Sequence, residues 1–227
     1  MSFAVIEGLD GSGKSTQIKL LRAYLDENGI AYKYLHFPRT DAPVYGELIA
    51  RFLRGELGKI SEVNPYLIAL IYAGDRKDAA EKIQKWQEEG YFVLVDRYVI
   101  SNIAFQCAKL SEKESRKKLQ EWILNLEYNY NHLPMPDINL FLDVSFEFTR
   151  AQLSSDRNGA DRNYLNGATD IHEANLDFQR NVRDVYLSLE GNPGYRILRC
   201  YNNENSIYSP ETIFEKIVKI IFKHENA

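Results

Sequence analysis

The segment that most constrains the fold is Gly8–Ser15, with the sequence GLDGSGKS. It follows a short apolar run, Phe3–Glu7, which is typical of a buried strand. It precedes a pattern in which Ile18, Leu21 and Leu25 share one face of a predicted helix. Glycine, lysine and serine at these spacings, between a strand and a helix, indicate a phosphate-binding loop in an α/β fold.

Each residue type in this loop has a chemical role at a triphosphate. The glycines let successive backbone N–H groups point at one phosphate, and the start of the following helix adds the positive end of its dipole. Lys14 supplies a cation to the β- and γ-phosphates, and the Ser15 hydroxyl can ligate Mg²⁺. The predicted ATP-binding residues are Gly8, Leu9, Asp10, Gly11, Ser12, Gly13, Lys14, Ser15 and Thr16.

The rest of the chain alternates apolar runs with helical patterns. Further strands are predicted at Ala31–Phe37, Tyr91–Asp96, Ile138–Val144 and Gly194–Tyr201. Further helices are predicted at Val44–Leu53, Tyr66–Glu89, Leu119–Leu126, Ile171–Leu189 and Ser209–Phe222. Continuous apolar strands separated by helices indicate a parallel sheet covered on both faces. We expect one domain over residues 1–227, with the polar segment Ser154–Thr169 inserted over a site.

Composition excludes several classes of function. The net charge of −4 and the pI of 5.7 lack the basic excess of a nucleic-acid-binding protein. No apolar run approaches the roughly 18 residues of a membrane span, and the first residues lack the features of a signal peptide. Cys107 and Cys200 stand far apart, which favours a reducing compartment without disulfides or a zinc cluster. We therefore expect a cytoplasmic protein with no nucleic-acid or membrane partner.

A phosphate-binding loop predicts a nucleotide site without deciding the reaction. A GTPase is disfavoured because the chain contains no Asn-Lys dipeptide with which to read guanine. An ATP-driven switch remains an alternative, although such proteins need a second nucleotide-sensing region and usually a longer chain. A small kinase fits the length better.

Further motifs follow the loop in order along the chain. They are Phe37-Pro38-Arg39, Tyr72 with Arg76, Asp96-Arg97-Tyr98 with Ser101 and Phe105-Gln106, Arg157–Arg162, and a last group of His172-Glu173, Phe178-Gln179, Arg183 and Tyr186. In this order, from Phe3 to about Leu189, they resemble thymidylate kinases, which phosphorylate dTMP with ATP and Mg²⁺. The resemblance implies the nucleoside monophosphate kinase fold with a five-stranded sheet in the order 2-3-1-4-5. It also implies direct in-line transfer and a homodimer.

The arginines and acids that follow the strands suit a second phosphate site. Arg97 and Asp96 come at the end of one predicted strand and Arg39 at the end of another, and this edge of an α/β sheet binds ligands. Arginine suits bidentate phosphate recognition, and the resemblance implies that Arg39 and Arg97 hold the monophosphate. Asp96 is a candidate Mg²⁺ ligand together with Ser15. Ordinary ion pairs are the alternative for all three residues.

The resemblance also implies roles around the acceptor nucleoside. Asp10 faces the 3′-hydroxyl of the deoxyribose, which explains an acid inside a phosphate-binding loop. Tyr72 and Arg76 lie four residues apart on one helical face, and the resemblance implies that the ring stacks on thymine while the arginine reaches O4. The remaining predicted substrate-binding residues are Phe37, Ser101, Phe105 and Gln106. For Phe37, Tyr72 and Phe105 a core position is the alternative.

Gly11 suggests where the catalytic cation comes from. One branch of the family carries arginine at this loop position, whereas the other has glycine and supplies arginines from the lid. The chain resembles the second branch, with Arg157 and Arg162 in the polar segment and Arg150 as a weaker candidate. The predicted catalytic residues are Lys14, Arg157, Arg162 and Asp10. Another deoxynucleotide or nucleoside kinase on the same scaffold remains the nearest alternative.

Overall fold

The computed structural model describes residues 2–153, 164–167, 170–173 and 175–222. Within these residues the strands are β1 (Phe3–Glu7), β2 (Tyr32–His36), β3 (Phe92–Asp96), β4 (Ile138–Asp143) and β5 (Tyr195–Arg199). The α-helices are α1 (Lys14–Glu27), α2 (Tyr45–Leu53), α3 (Pro65–Glu88), α4 (Val99–Cys107), α5 (Lys113–Leu124), α6 (Phe146–Leu153), α7 (Leu176–Ser188) and α8 (Pro210–Phe222). A π-helical turn, Asn125–Tyr130, continues α5.

The strands form one parallel sheet in the order β2-β3-β1-β4-β5, which confirms the expected fold. In the centre, Ile6 of β1 pairs with Asp96 of β3 and with Leu140 of β4. His36, the last residue of β2, also pairs with Asp96. The strands β1, β2 and β3 therefore end together, and the loops that follow them meet at one edge of the sheet.

Helices cover both faces of the sheet, which explains why the strands β1, β3 and β4 are buried along their whole length. The expectation of continuous apolar strands is wrong for β2 and β5, which lie at the edges of the sheet and carry partly or fully exposed residues. Phe3 and Val5 of β1 lie in a core cluster with residues of α3, α4 and α7. Ala4 and Ile6 point to the other face, into a cluster with residues of α1 and α8. None of the helices in the described ranges is long and apolar enough to cross a membrane.

Two helices were not predicted from the sequence. In α4 the residues Val99 and Ser101–Cys107 are all buried, whether polar or apolar. A helix that is buried on every side has no amphipathic period, so the usual signal is missing. The second, α6, is a short helix close after β4, and it is too brief to establish a period.

The predicted start of the helix at Ile171 is wrong, because α7 begins at Leu176. The Asp170 carboxylate accepts hydrogen bonds from the backbone N–H groups of His172 and Glu173, which holds this segment in a turn. The Asn175 side chain then accepts from the backbone N–H of Phe178 and caps the helix.

Candidate active site

A cavity of about 970 Å³ opens at the carboxyl edge of the sheet. It brings together most of the residues that the sequence predicted for the site. Those in its wall are Asp10, Gly11, Ser12, Gly13, Lys14, Ser15, Thr16, Phe37, Arg39, Tyr72, Arg76, Asp96, Arg97, Ser101, Phe105 and Gln106. Gly8 and Leu9 lie in the same loop but are not part of this wall.

The phosphate-binding loop folds back on its own lysine. Lys14 Nζ donates to the carbonyl oxygens of Gly8 at 3.2 Å and Leu9 at 3.0 Å. Gly13 has a φ of 83°, a left-handed conformation that glycine adopts without strain. Burial, and then the charge of Arg97, lowers the pKa of Lys14 to about 8. The loop therefore presents a buried ammonium group whose charge a bound phosphate would stabilise.

Arg97 and Asp10 form an ion pair inside the cavity. Arg97 Nη2 donates to Asp10 Oδ1 at 2.7 Å, and Gln179 Nε2 donates to Asp10 Oδ2 at 3.0 Å. Burial opposes ionisation of Asp10, but the charges of Arg97 and Lys14 outweigh it and lower the pKa of the carboxyl to about 2. Asp10 is thus a fixed negative charge beside the loop, able to accept a hydrogen bond from a hydroxyl group.

A buried carboxylate at the end of β1 organises the turn that carries Arg97. Glu7 accepts from the backbone N–H groups of Tyr98 and Ser101 and from the hydroxyls of Ser101 and Tyr186. Arg97 itself has a φ of 64°, which is unusual for a residue with a side chain. The contacts of Glu7 support this strained turn. They also engage the Ser101 hydroxyl, which the sequence had assigned to the substrate.

Arg39 is held by a second acid. Its Nε donates to Asp75 Oδ1 at 2.8 Å, and its Nη2 donates to the Asp75 carbonyl oxygen at 2.7 Å. The backbone N–H of Arg39 also donates to the Asp75 carboxylate. The guanidinium is therefore fixed in the wall of the cavity, where it and Arg97 form a second group of cations besides Lys14.

Asp96 has an unsatisfied oxygen. Its Oδ2 lies 3.1 Å from Nδ1 of His36, whereas its Oδ1 is buried and has no hydrogen-bond partner in the part of the chain that the structure describes. Burial opposes ionisation, but the hydrogen bond from His36 outweighs it and lowers the pKa of Asp96. A buried, ionised carboxylate oxygen without a donor fits a cation ligand. The sequence analysis did not single out His36, because its contact with Asp96 depends on the pairing of β2 with β3.

The inner part of the cavity carries the residues predicted for the base. Arg76 is 2% exposed and pairs with Glu127, and Asn102 lines the cavity beside it. Phe105 lies under the Arg97 guanidinium, with 5.0 Å between the guanidinium carbon and the ring centre. Gln106 Oε1 is buried, and none of the described residues donates a hydrogen bond to it.

Phe37 lies both in the core and in the cavity wall, the two positions between which the sequence left it open. It is 1% exposed and packs against Tyr98 in the core, yet it also forms part of the cavity wall. Tyr72 likewise lines the cavity while packing against the smaller core cluster between α2 and α3.

The segment before α7 closes one side of the cavity. The Tyr164 hydroxyl donates to Asp170 at 2.6 Å, and burial and then the charge of Asp10 raise the pKa of Asp170 to about 6. The His172 ring packs against Phe52, Phe105 and Phe178. The sequence analysis did not single out Tyr164 or Asp170, since a lone tyrosine and a lone acid in a polar segment carry no pattern.

The predicted lid arginines Arg157 and Arg162 lie outside the described residues, as does most of the segment Ser154–Thr169. Arg150, the weaker candidate, lies on α6 with its side chain exposed.

The chain is similar to known proteins of one family. The family model described as thymidylate kinase matches residues 6–207. The thymidylate kinase of Mycobacterium tuberculosis H37Rv is 32% identical over 185 residues, covering 81% of this chain and 83% of the relative. A probable thymidylate kinase of Pyrococcus abyssi is 31% identical over 225 residues, covering 98% and 96%. The solved structure of the Candida albicans thymidylate kinase has a TM-score of 0.71 and 25% identity, covering 98% of this chain and 92% of that one.

Proposed function

The chain belongs to the thymidylate kinase family and phosphorylates dTMP with ATP, and we propose that it does so in the cavity described above. One observation carries the assignment of the site. A phosphate-binding loop with Lys14 and a second cluster of cations, Arg39 and Arg97, line the same cavity. A kinase that joins two phosphorylated nucleotides needs both anion sites within reach of each other.

We assign the donor site to Gly8–Thr16. The backbone N–H groups of the loop and the Lys14 ammonium bind the ATP phosphates. Mg²⁺ would be held by the Ser15 hydroxyl and Asp96, directly or through water, and would neutralise charge on the phosphates. Among the described residues no group of three or more acids, histidines or cysteines could hold a metal by itself. The ion would therefore bind together with ATP rather than to the protein alone.

We assign the acceptor site to the second cation cluster and the residues around it. Arg97 and Arg39 bind the monophosphate of dTMP, because each is fixed by an acid and lines the cavity. Asp10 accepts a hydrogen bond from the 3′-hydroxyl of the deoxyribose, and its low pKa keeps the carboxylate ionised. The Ser101 hydroxyl donates to Glu7, the acid that holds the turn carrying Arg97.

The transfer itself needs no covalent nucleophile on the protein. An oxygen of the dTMP phosphate attacks the γ-phosphorus of ATP in line with the departing ADP oxygen. Lys14 stabilises charge on the transferring group from the loop, and Arg157 and Arg162 supply further positive charge from a lid over residues 154–169. The lid also excludes water, which prevents hydrolysis of ATP without transfer.

Acceptor preference follows from the assignment of Arg76 to the base. A guanidinium donor matches the O4 acceptor of thymine but faces a second donor, the 4-amino group, in cytosine. A mismatched polar pair costs on the order of 1–3 kcal/mol. We therefore expect kcat/KM for dCMP to be at least about tenfold below that for dTMP, and Arg76→Ala to narrow this gap. Equal use of the two nucleotides by the unaltered protein would contradict the assignment.

The experiment that tests the proposed function measures ADP release from ATP and Mg²⁺ with a panel of acceptors. dTMP, dUMP, dCMP, dGMP and thymidine separate this function from other kinases on the same scaffold. ADP release that depends on dTMP supports it, and ADP release that is independent of every acceptor would indicate a nucleotide switch instead. The panel also tests for a broad range of acceptors, because the Candida albicans thymidylate kinase has broad substrate specificity.

We further propose that residues 1–227 form a single kinase domain and act as a homodimer packed through helices. The side chains of Leu67 and Leu70 on α3 are 59% and 48% exposed, and a dimer interface would bury them. The free cysteines Cys107 and Cys200 are buried, which supports a reducing compartment such as the cytoplasm.

The double variant Leu67→Glu/Leu70→Glu tests the dimer. Like charges facing each other across a two-fold interface repel, so light scattering should give a monomer mass where the unaltered chain gives twice that mass. Glu81→Gln, an exposed change on the same helix, serves as the control and should leave the mass unchanged. A monomeric unaltered chain would contradict the proposal.

A further inference from the structure

The π-helical turn Asn125–Tyr130 carries a buried acid towards the acceptor end of the cavity. Glu127, in its middle, is fully buried. π-Helical turns are rare, and they occur often at functional sites. Here the turn follows α5 directly and packs against α3, the helix that carries Arg76.

Two of the three guanidinium nitrogens of Arg76 donate hydrogen bonds to the Glu127 carboxylate. Nε donates to Oε2 at 2.9 Å and Nη2 donates to Oε1. Burial would lower the pKa of Arg76, but the charge of Glu127 outweighs it and raises that pKa. The third nitrogen, Nη1, has no hydrogen-bond partner among the described residues, and Arg76 lines the cavity. The carboxylate thus fixes the plane of the guanidinium and leaves the N–H groups of Nη1 for a ligand.

Asn102 holds the other side of the carboxylate. Its Nδ2 donates to Glu127 Oε1 at 2.8 Å and to the Ala69 carbonyl oxygen at 3.0 Å. Glu127 therefore receives hydrogen bonds from α3 and α4 at once, so its position cannot drift without breaking one of them. It does not itself line the cavity.

We propose that Glu127 is a positioning residue for base recognition, which aims Nη1 of Arg76 at the 4-oxo group of the acceptor pyrimidine. This inference rests on the proposed function, since it assumes that Arg76 contacts the base. A guanidinium has donors only, and when a carboxylate holds it in place it cannot move away from a 4-amino group. Glu127 therefore contributes to the preference for 4-oxo over 4-amino pyrimidines. A purely structural ion pair would affect stability and leave that preference unchanged.

The variant Glu127→Gln distinguishes a role in positioning Arg76 from a purely structural role. Glutamine has the same shape but only one accepting oxygen, and its amide N–H₂ faces a donor on Arg76 or on Asn102. We expect KM for dTMP to rise at least about tenfold, with kcat changed less than about threefold and KM for ATP unchanged. The ratio of kcat/KM for dTMP to that for dCMP should fall at least about fivefold. A folded Glu127→Gln protein with the original ratio would overturn the proposal.

Asp143→Asn is the matched control. Asp143 binds Arg183 in the same two-pronged manner, at 2.7 and 3.1 Å, and neither residue lines the cavity. Breaking this pair should lower the melting temperature and leave the dTMP to dCMP ratio unchanged. If Glu127→Gln does not fold, Glu127→Asp decides the question, because it keeps the charge but withdraws the carboxylate from Arg76. A folded Glu127→Asp protein with an unaltered ratio would equally overturn the proposal.

The background variant Arg76→Met distinguishes this inference from the proposed function. If Glu127 acts through Arg76, adding Glu127→Gln to Arg76→Met should change the dTMP to dCMP ratio by less than about twofold. The double variant also removes both buried charges, which protects its folding. A ratio unaffected by Arg76→Met would refute base reading by Arg76. A ratio that falls with Arg76→Met but not with Glu127→Gln would refute only the role of Glu127.

Discussion

Replacing Lys14 by alanine should lower kcat by at least about a thousandfold while the protein remains folded. The ammonium group supplies the cation of the phosphate-binding loop, and among the described residues its hydrogen bonds go only to the carbonyl oxygens of Gly8 and Leu9. The substitution therefore removes a charge that acts on phosphate without leaving a buried acid unpaired. A coupled assay of ADP release measures kcat, and a thermal melt reports folding.

Lys109→Met is the control for burial of a lysine. The Lys109 ammonium nitrogen is also buried, burial lowers the pKa of the amine to about 7, and it packs over Phe52 outside the cavity wall. Its replacement should change kcat by less than about threefold. A Lys14→Ala protein with normal kcat would contradict the assignment of the donor site to Gly8–Thr16.

Much of the fold could be predicted because its signals are local. The apolar runs at β1, β3 and β4 have the length and continuity of strands buried in a parallel sheet. The order of the strands came from the family resemblance, since apolar runs do not say which strand lies next to which. The boundary at α7 was misplaced because Asn175, rather than any break in the apolar pattern, ends the preceding turn.

The parts of the candidate site that could be predicted lie at strand ends or within one motif. Lys14 and Asp10 belong to the loop after β1, and Arg97 directly follows β3. These positions follow from chain order, because the carboxyl ends of parallel strands share an edge. Arg76 was named because of the family resemblance, and its spacing of four residues from Tyr72 predicted only that the two share one helical face.

The supporting residues could not be predicted, since each depends on a contact between distant segments. Glu127 contacts Arg76, which is 51 residues away in the sequence. It lies in a π-helical turn, which no periodic pattern in the sequence predicts. Glu7 was seen only as the end of a strand, although it binds the start of α4 and the hydroxyl of Tyr186. Such acids become recognisable only when the fold supplies their partners.

The largest prediction outside the described residues concerns Arg157 and Arg162. In-line transfer spreads negative charge over the equatorial oxygens of the moving group, and Gly11 has no side chain with which to meet it. Arginine contributions of this kind are on the order of 10³–10⁵ in rate. Two candidates can share the role, so each single change costs less. We expect Arg157→Ala/Arg162→Ala to lower kcat at least about a hundredfold.

The affinity for dTMP should change little in that double variant, because Arg97 and Arg39 remain in the cavity wall. Isothermal titration with dTMP measures this affinity separately from kcat. Arg196→Ala/Arg199→Ala removes two exposed arginines from β5, outside the cavity wall, and controls for the loss of charge. Near-normal kcat with lost dTMP binding would make the lid arginines acceptor ligands and would contradict the branch assignment.

Adding Gly11→Arg to the double variant asks whether the loop position can replace the lid. The new guanidinium would start from the loop that binds the donor phosphates, as in the other branch of the family, so part of the rate should return. Gly11 has a φ of 73°, however, and a residue with a side chain pays about 1–2 kcal/mol for that conformation. Recovery should therefore be incomplete, and the loop should bind ATP more weakly. A rate that does not rise at all would mean that this loop cannot present an arginine to the transferring group.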